Sequence, residues 1–294
     1  MTIDAPTLSA ACHLTLAGES DKDLLLYVDG LIDSLAAHWE EAEPLELAVI
    51  CPEAELATLG EAIVPAPRLR VSFLAEEQLS PTLANRRLPA ELRGRLARLL
   101  YAASCPGDFC LVLEPGAFCI RPISTQRLVP QGRARTEWEA KSKHPDWWRG
   151  AARMLGRGES AEPLGLGVCP MVLARDLARQ TLDLVGRANR QDPAAALAAA
   201  GTGDTWTENA LYCLAGEGRS LLDWHWPPDS HPGGQPNRLH SDVNLWSRDD
   251  FSGWDPARWR ALAAHGYFLV VNRHAPFAPD EVLPPLYRML PLGA

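Results

Sequence analysis

Two glutamates stand where a carboxylate could do chemistry. Glu114 ends the apolar run Phe109-Cys110-Leu111-Val112-Leu113 and is followed by Pro115-Gly116-Ala117-Phe118-Cys119-Ile120-Arg121-Pro122. A carboxylate at the C-terminal end of a central strand can hold a divalent cation through its hard oxygens, or meet the hydroxyls of a ribose. On position alone, a residue that merely opens a turn is the plainer reading. Glu208 lies in Thr205-Trp206-Thr207-Glu208-Asn209-Ala210-Leu211-Tyr212. In a helix capped by Thr207, Glu208 and Tyr212 are four apart and share a face, so the carboxylate could act as a general base toward a sugar hydroxyl. Spacing alone favours a solvated capping carboxylate.

Four histidines of the C-terminal third, His225, His231, His240 and His274, have neither HxH nor HExxH spacing, so no dedicated zinc centre is expected. His274, directly after a strand-like run, stands at an edge suited to a metal or a phosphate. No GxxxxGK[ST], strand-linked GxGxxG or GxSxG occurs, which removes P-loop, Rossmann and α/β-hydrolase chemistry from the leading candidates. Cys12, Cys51, Cys105, Cys110, Cys119, Cys169 and Cys213 are scattered without a CxxC pair, several inside apolar runs, and are expected to be reduced, buried thiols. Ten tryptophans, concentrated after position 137, offer flat surfaces on which ring-shaped ligands stack, although for any one of them a place in the core is the plainer reading.

These residues need a scaffold. With 47% hydrophobic and 22% charged residues in 294, the chain can bury an ordinary core. A formal charge of −9 argues against a general nucleic-acid-binding face, while leaving a few arginines for an anionic small molecule. No apolar run reaches the ~20 residues of a membrane span, and Met1-Thr2-Ile3-Asp4 has neither the basic start nor the apolar stretch of a signal peptide, so a cytoplasmic location is expected.

Strand-like runs at Cys12–Leu16, Leu45–Cys51, Leu69–Leu74 and Phe109–Leu113 alternate with helical stripes. One of these carries Leu24, Val28, Leu31 and Leu35 behind a Ser20 cap, and another runs from Pro89 to Ser104 with Leu92, Leu96 and Leu99 inward. Continuous apolar strands separated by helices predict an α/β fold with a mostly parallel sheet covered on both faces, whose ligand site lies beyond the strands' C-terminal ends. Later segments predict a helix at Trp148–Leu155, a strand at Leu164–Leu173, a helix at Ala174–Arg187 and an exposed helix and hinge at Gln191–Gly203. Further on, a helix is expected at Trp206–Leu214, a functional or mobile loop at Asp223–Arg238, a helix at Ala257–His265, a strand at Tyr267–Asn272 and a last helix at Asp280–Leu290. No internal repeat and no convincing linker divides the chain.

The order of these segments resembles a bacterial family with the nucleotide-diphospho-sugar transferase fold, the GT-A type of glycosyltransferase. The resemblance rests on Asp33-Ser34-Leu35 in the first helix, Arg98-Leu99 before the central strand, an acidic end to that strand followed by Arg121-Pro122, and Trp147-Trp148 leading to Leu155-Gly156. It also rests on the strand and helix Val168–Leu177 and on Thr207-Glu208-Asn209-Ala210-Leu211-Tyr212, which matches a Thr-Glu-x-x-Leu-Tyr motif at every fixed position. It covers about Cys12 to Tyr212, and more loosely Tyr267 to Asn272.

The resemblance implies one GT-A-like domain over residues 1–294, with a nucleotide-binding half at 12–123 and an acceptor half with a C-terminal extension at 124–294. It implies Glu208 as the catalytic base, Glu114, Arg98 and Arg121 as contacts to a nucleotide-diphosphate sugar, and Trp147, Trp148 and Tyr212 at the acceptor site. The chain departs from the family's Asp-x-Asp, having Glu114-Pro115-Gly116 in its place. One carboxylate of two is missing, so any Mn²⁺ or Mg²⁺, held by Glu114 with His274, is expected to bind weakly. Alternatively, arginines such as Arg98 and Arg121 neutralise the diphosphate, or donor binding has been lost. The function implied is sugar transfer from a nucleotide donor to a glycan or small-molecule hydroxyl; the alternative is an inactive GT-A-like domain that binds a glycan or a protein.

Overall fold

Phe109–Leu113 is hydrophobic at every position and Leu45–Cys51 at every position but Glu46, as strands covered on both faces must be, whereas Leu69–Leu74 carries Arg70 and Ser72. The computed structural model describes residues 5–16, 21–200, 206–255, 266–272 and 277–291. Its strands are β1 (Leu8–His13), β2 (Leu45–Cys51), β3 (Leu69–Ala75), β4 (Phe109–Leu113), β5 (Ala117–Cys119), β6 (Trp138–Ala140), β7 (Leu164–Leu166), β8 (Met171–Ala174) and β9 (Phe268–Val270). The main sheet has the order β3-β2-β1-β4-β8. Its first four strands are parallel and β8 runs antiparallel beside β4, so the sheet is mixed and mostly parallel. Two ribbons, β5 with β9 and β6 with β7, extend the C-terminal side.

Helices α1 (Asp21–His38), α2 (Leu56–Ala62), α3 (Glu76–Leu79), α4 (Ala90–Ser104) and α5 (Thr125–Leu128) belong to the first half. They are followed by α6 (Pro145–Met154), α7 (Arg175–Asn189), α8 (Pro193–Ala199), α9 (Glu208–Gly216), α10 (Leu221–Trp224) and a last helix, Pro279–Tyr287. One hydrophobic core runs continuously from Ala10 to Phe268, and a smaller one joins α1, the β5–β9 ribbon and the last helix. Among the described residues no helix is long and apolar enough to cross a membrane. All seven cysteines are buried thiols.

Several segments differ from the sequence reading. β1 starts at Leu8 and ends at His13, not at Cys12–Leu16. It lies between β2 and β4, and ladders on both sides hold even Ser9, Ala10 and Ala11 extended, so tertiary pairing overrides weak strand propensity. The run Leu164–Leu173 divides into β7 and β8 at the turn Gly167-Val168-Cys169-Pro170. The helix expected to be exposed, α8, buries Ala194, Ala196 and Leu197, because small side chains allow close packing. The loop Asp223–Arg238 is tied down: buried Arg135 donates to the carbonyls of Pro232 (2.6 Å), Pro236 (2.7 Å) and Gln235 (3.2 Å). Ser20 and the helix at Ala257–His265 lie outside the described residues.

Between β4 and β5 the turn Glu114-Pro115-Gly116 is held rigidly. Gly116 has φ +127°, and a Cβ there would fall 2.3 Å from the Val271 carbonyl oxygen, so only glycine fits. The Val271 N–H donates to the Gly116 carbonyl at 2.8 Å and the Ala117 N–H to the Glu114 carbonyl at 3.0 Å. The backbone that carries Glu114 is thereby fixed.

Candidate active site

Helix α4 presents two faces. Leu92, Leu96 and Leu99 turn to the core, while Glu91, Gly94, Arg95 and Arg98, spaced three, four and seven from Glu91, line an open cleft of about 860 Å³. The cleft lies beyond the C-terminal ends of β1 and β4, where open α/β sheets bind ligands. It also receives His13 from the end of β1, Glu114 from the end of β4 and Glu208 from the first turn of α9.

At its centre Arg98 bridges the two glutamates. Its Nε and Nη2 lie 2.7 and 2.5 Å from Glu208 Oε1, and its Nη1 lies 3.1 Å from Glu114 Oε1. Burial opposes the charge on this guanidinium, but Glu208 and Glu114 outweigh burial and hold its pKa above the ordinary arginine value. The two carboxylates differ in environment, since the Glu208 side chain is 5% exposed and that of Glu114 is 40% exposed. Thr207 accepts the Ala210 N–H at 3.4 Å and caps α9, which sets Glu208 at the helix start as the sequence predicts.

The far wall is aromatic and acidic. Trp147, half-buried at the start of α6, stacks on His144 with ring centroids 3.9 Å apart and planes 14° apart. Trp246, 41% exposed, stands 5.7 Å from the His240 ring. Glu137 accepts the N–H groups of Leu239 and His240 at 3.3 Å each and faces Arg238 Nε at 3.5 Å. Burial pushes its carboxyl up, against the pull of Arg238 and those two N–H groups. Burial pushes His240 down to about 4, partly offset by the Val168 carbonyl. Among the described residues, seven Asp and Glu side chains line the cleft against four Arg and Lys, so its field is negative overall.

The family model with the description "Family of unknown function (DUF6492)" matches residues 5–294. The chain belongs to the DUF6492 family. No curated protein matches it in sequence.

Of the residues singled out by sequence, this DUF6492 member brings Glu114, Arg98, Glu208 and Trp147 into one cleft. Three others are corrections. Tyr212 does share a helix face with Glu208, but that face runs inward: Tyr212 is fully buried, accepts the Ala174 N–H at 2.8 Å and lies 2.8 Å from His225 Nε2, so it does not reach an acceptor. Trp148, one position and about 100° beyond Trp147, is buried under Gly165 with the Lys141 ammonium 5.0 Å from its ring. Arg121 lies over the Tyr267 ring at 5.6 Å and does not line the cleft. His274 lies outside the described residues.

At the turn after β4 the described residues supply one carboxylate, Glu114. Pro115 and Gly116 bring no side-chain ligand, and no group of three His, Cys, Asp or Glu gathers among the described residues. The charge beside Glu114 is already Arg98. Two unit charges about 4 Å apart interact by about 4 kcal/mol at an effective dielectric near 20, so Arg98 opposes a cation on Glu114 while Glu114 and Glu208 attract it.

The sequence reading missed His13, Glu137 and the cleft-facing stripe of α4. The stripe had a visible signal, polar residues at helical spacing opposite a leucine face. His13 is hidden in the sequence because the strand-like run Cys12–Leu16 starts four residues and ends three residues beyond β1.

Proposed function

We propose that this chain is a GT-A-like glycosyltransferase that moves a sugar from a nucleotide-diphosphate donor to a hydroxyl of a glycan or small molecule. The observation that carries this reading is the meeting of Glu114 and Glu208 on Arg98, inside one cleft at the C-terminal edge of a parallel sheet. Glu208 takes the proton of the acceptor hydroxyl as its oxygen bonds to the anomeric carbon. The bond from that carbon to the diphosphate breaks, and its electron pair leaves with the nucleoside diphosphate. Arg98 faces the charge that develops there, a role for which a planar guanidinium is suited. The stacked His144 and Trp147 offer a platform for a sugar ring of the acceptor. Seven buried thiols suit a reducing compartment, and we place the protein in the cytoplasm with its small-molecule substrates.

A second reading, a binding domain without catalysis, is favoured by one feature: both contacts from Arg98 fall on a single oxygen of the buried Glu208, which restrains a base that must reach a hydroxyl. Calorimetry with UDP- and GDP-sugars, with and without Mn²⁺, followed by measurement of nucleoside diphosphate release, separates the two. Binding with slow release of the diphosphate, lost in Glu208→Gln, is expected. Glycan binding with no affinity for any sugar nucleotide would establish the second reading.

A further inference from the structure

Arg98 contacts two carboxylates that are not equivalent. Glu208 is almost fully buried, is set by a capped helix and takes two nitrogens of the guanidinium. Glu114 is 40% exposed and pairs with Nη1 at 3.1 Å. Its backbone is clamped by Gly116 against Val271, so any movement of the carboxylate is a rotation of its own side chain toward solvent. The cleft as a whole is negative, and a phosphate-bearing ligand therefore gains nothing from its general field; it needs a local cationic contact. The guanidinium edge now facing Glu114 is such a contact, planar and matched to phosphoryl oxygens as well as to carboxylates.

We infer that the Nη1 edge of Arg98 is the seat for a phosphoryl group of the ligand, and that the Glu114 carboxylate occupies this seat until the ligand's diphosphate displaces it. Glu208 then serves as the fixed partner that keeps Arg98 oriented through the exchange. The inference rests on the diphosphate class of ligand proposed above, but it reverses the role the family resemblance implies for Glu114. A metal-holding carboxylate recruits the diphosphate, whereas a carboxylate in the diphosphate's own seat competes with it.

Inorganic pyrophosphate, titrated by calorimetry at low ionic strength in EDTA, tests the exchange without involving a sugar. Glu114→Gln is expected to tighten pyrophosphate binding about tenfold, because the competing charge is gone while the seat remains. Glu139→Gln removes the same charge from the same cleft, where Glu139 pairs with Lys143 at 3.3 Å, and is expected to change binding less than twofold. Arg98→Gln combined with Glu208→Gln, which leaves no buried carboxylate alone, is expected to abolish binding while the circular dichroism stays that of the parent. Equal gains in the Glu114 and Glu139 variants would reduce the effect to the field of the cleft and overturn the seat. Weaker or unchanged binding in Glu114→Gln, or no binding by any variant, overturns it as well. Pyrophosphate binding that tightens in Glu114→Gln beside a complete lack of sugar-nucleotide turnover would retain the seat and reject the transferase.

Discussion

Two ionic clusters lie on the C-terminal edge of the sheet, and they are built in opposite proportions. In one, a single carboxylate, Glu76 at the end of β3, meets three bases: His13 Nε2 at 2.6 Å, Arg86 Nη1 at 2.7 Å and Arg93 Nε at 3.1 Å. Glu76 is fully buried, and its partners arrive from β1, from the turn before α4 and from α4 itself. In the other, a single base, Arg98, is shared between Glu208 and the half-exposed Glu114. Removing Glu76 leaves the buried His13 and Arg93 stranded in low dielectric, although Arg86, 41% exposed, stays in contact with water. Removing an exposed member is relieved by water. The first arrangement ties three elements together, and the second leaves one partner exchangeable, as a binding site requires.

The sharpest way to break this contrast is to delete Glu76. Glu76→Ala strands Arg93 and His13 inside the protein and is expected to lower stability by about 3–5 kcal/mol, measured by urea unfolding. A loss below about 1 kcal/mol would show that the cluster does not hold the fold and would erase the distinction.

The same cluster sets a pH dependence. Burial would raise the Glu76 carboxyl, but the hydrogen bond and charge of His13, with Arg93 and Arg86, outweigh burial and hold it below the ordinary glutamate value of 4.5. A carboxyl with a depressed folded pKa contributes stability that is complete above its unfolded value and is lost as pH falls through the folded one. Stability should therefore decline below about pH 4.5, by up to about 1.4 kcal/mol per pH unit from this group. The decline should be shallower in Glu76→Gln, and urea titrations of the two proteins between pH 5 and 3 measure the difference. Parallel curves would assign acid sensitivity to other groups.

The smallest effect belongs to Glu114. With its side chain 40% exposed, Glu114→Gln should shift stability by less than about 1 kcal/mol in the same urea assay, since screened pairs contribute little. A loss above about 2 kcal/mol would make Glu114 a structural partner like Glu76 and count against its exchange with a ligand.

Much of the scaffold was legible, for a local reason. β4 is a continuous apolar run, β2 is broken only by Glu46, β3 sets Arg70 and Ser72 among apolar residues, and α4 carries its leucines at helical spacing, so burial on the required faces follows from the residues themselves. β1 was misplaced because its alanines and Ser9 carry little strand preference, and only the ladders to β2 and β4 keep them extended. The site was half legible. Glu114 could be recognised from the end of its strand and Glu208 from its cap, but nothing local distinguishes Trp147, on the cleft, from Trp148, beneath Gly165.

The sequence by itself therefore determined most of the helices and the strands β2 and β4, and that two carboxylates would stand at element ends, because periodicity, caps and turns act over a few residues. The tertiary structure decided what those carboxylates do. Arg98 meets a glutamate 110 residues away, Glu76 a histidine 63 residues away, and Tyr212 turns into the core toward Ala174 and His225. A charge's partner and its exposure are set by the packing of distant elements, and in a low-dielectric interior those two quantities settle whether it fastens the fold or meets a ligand.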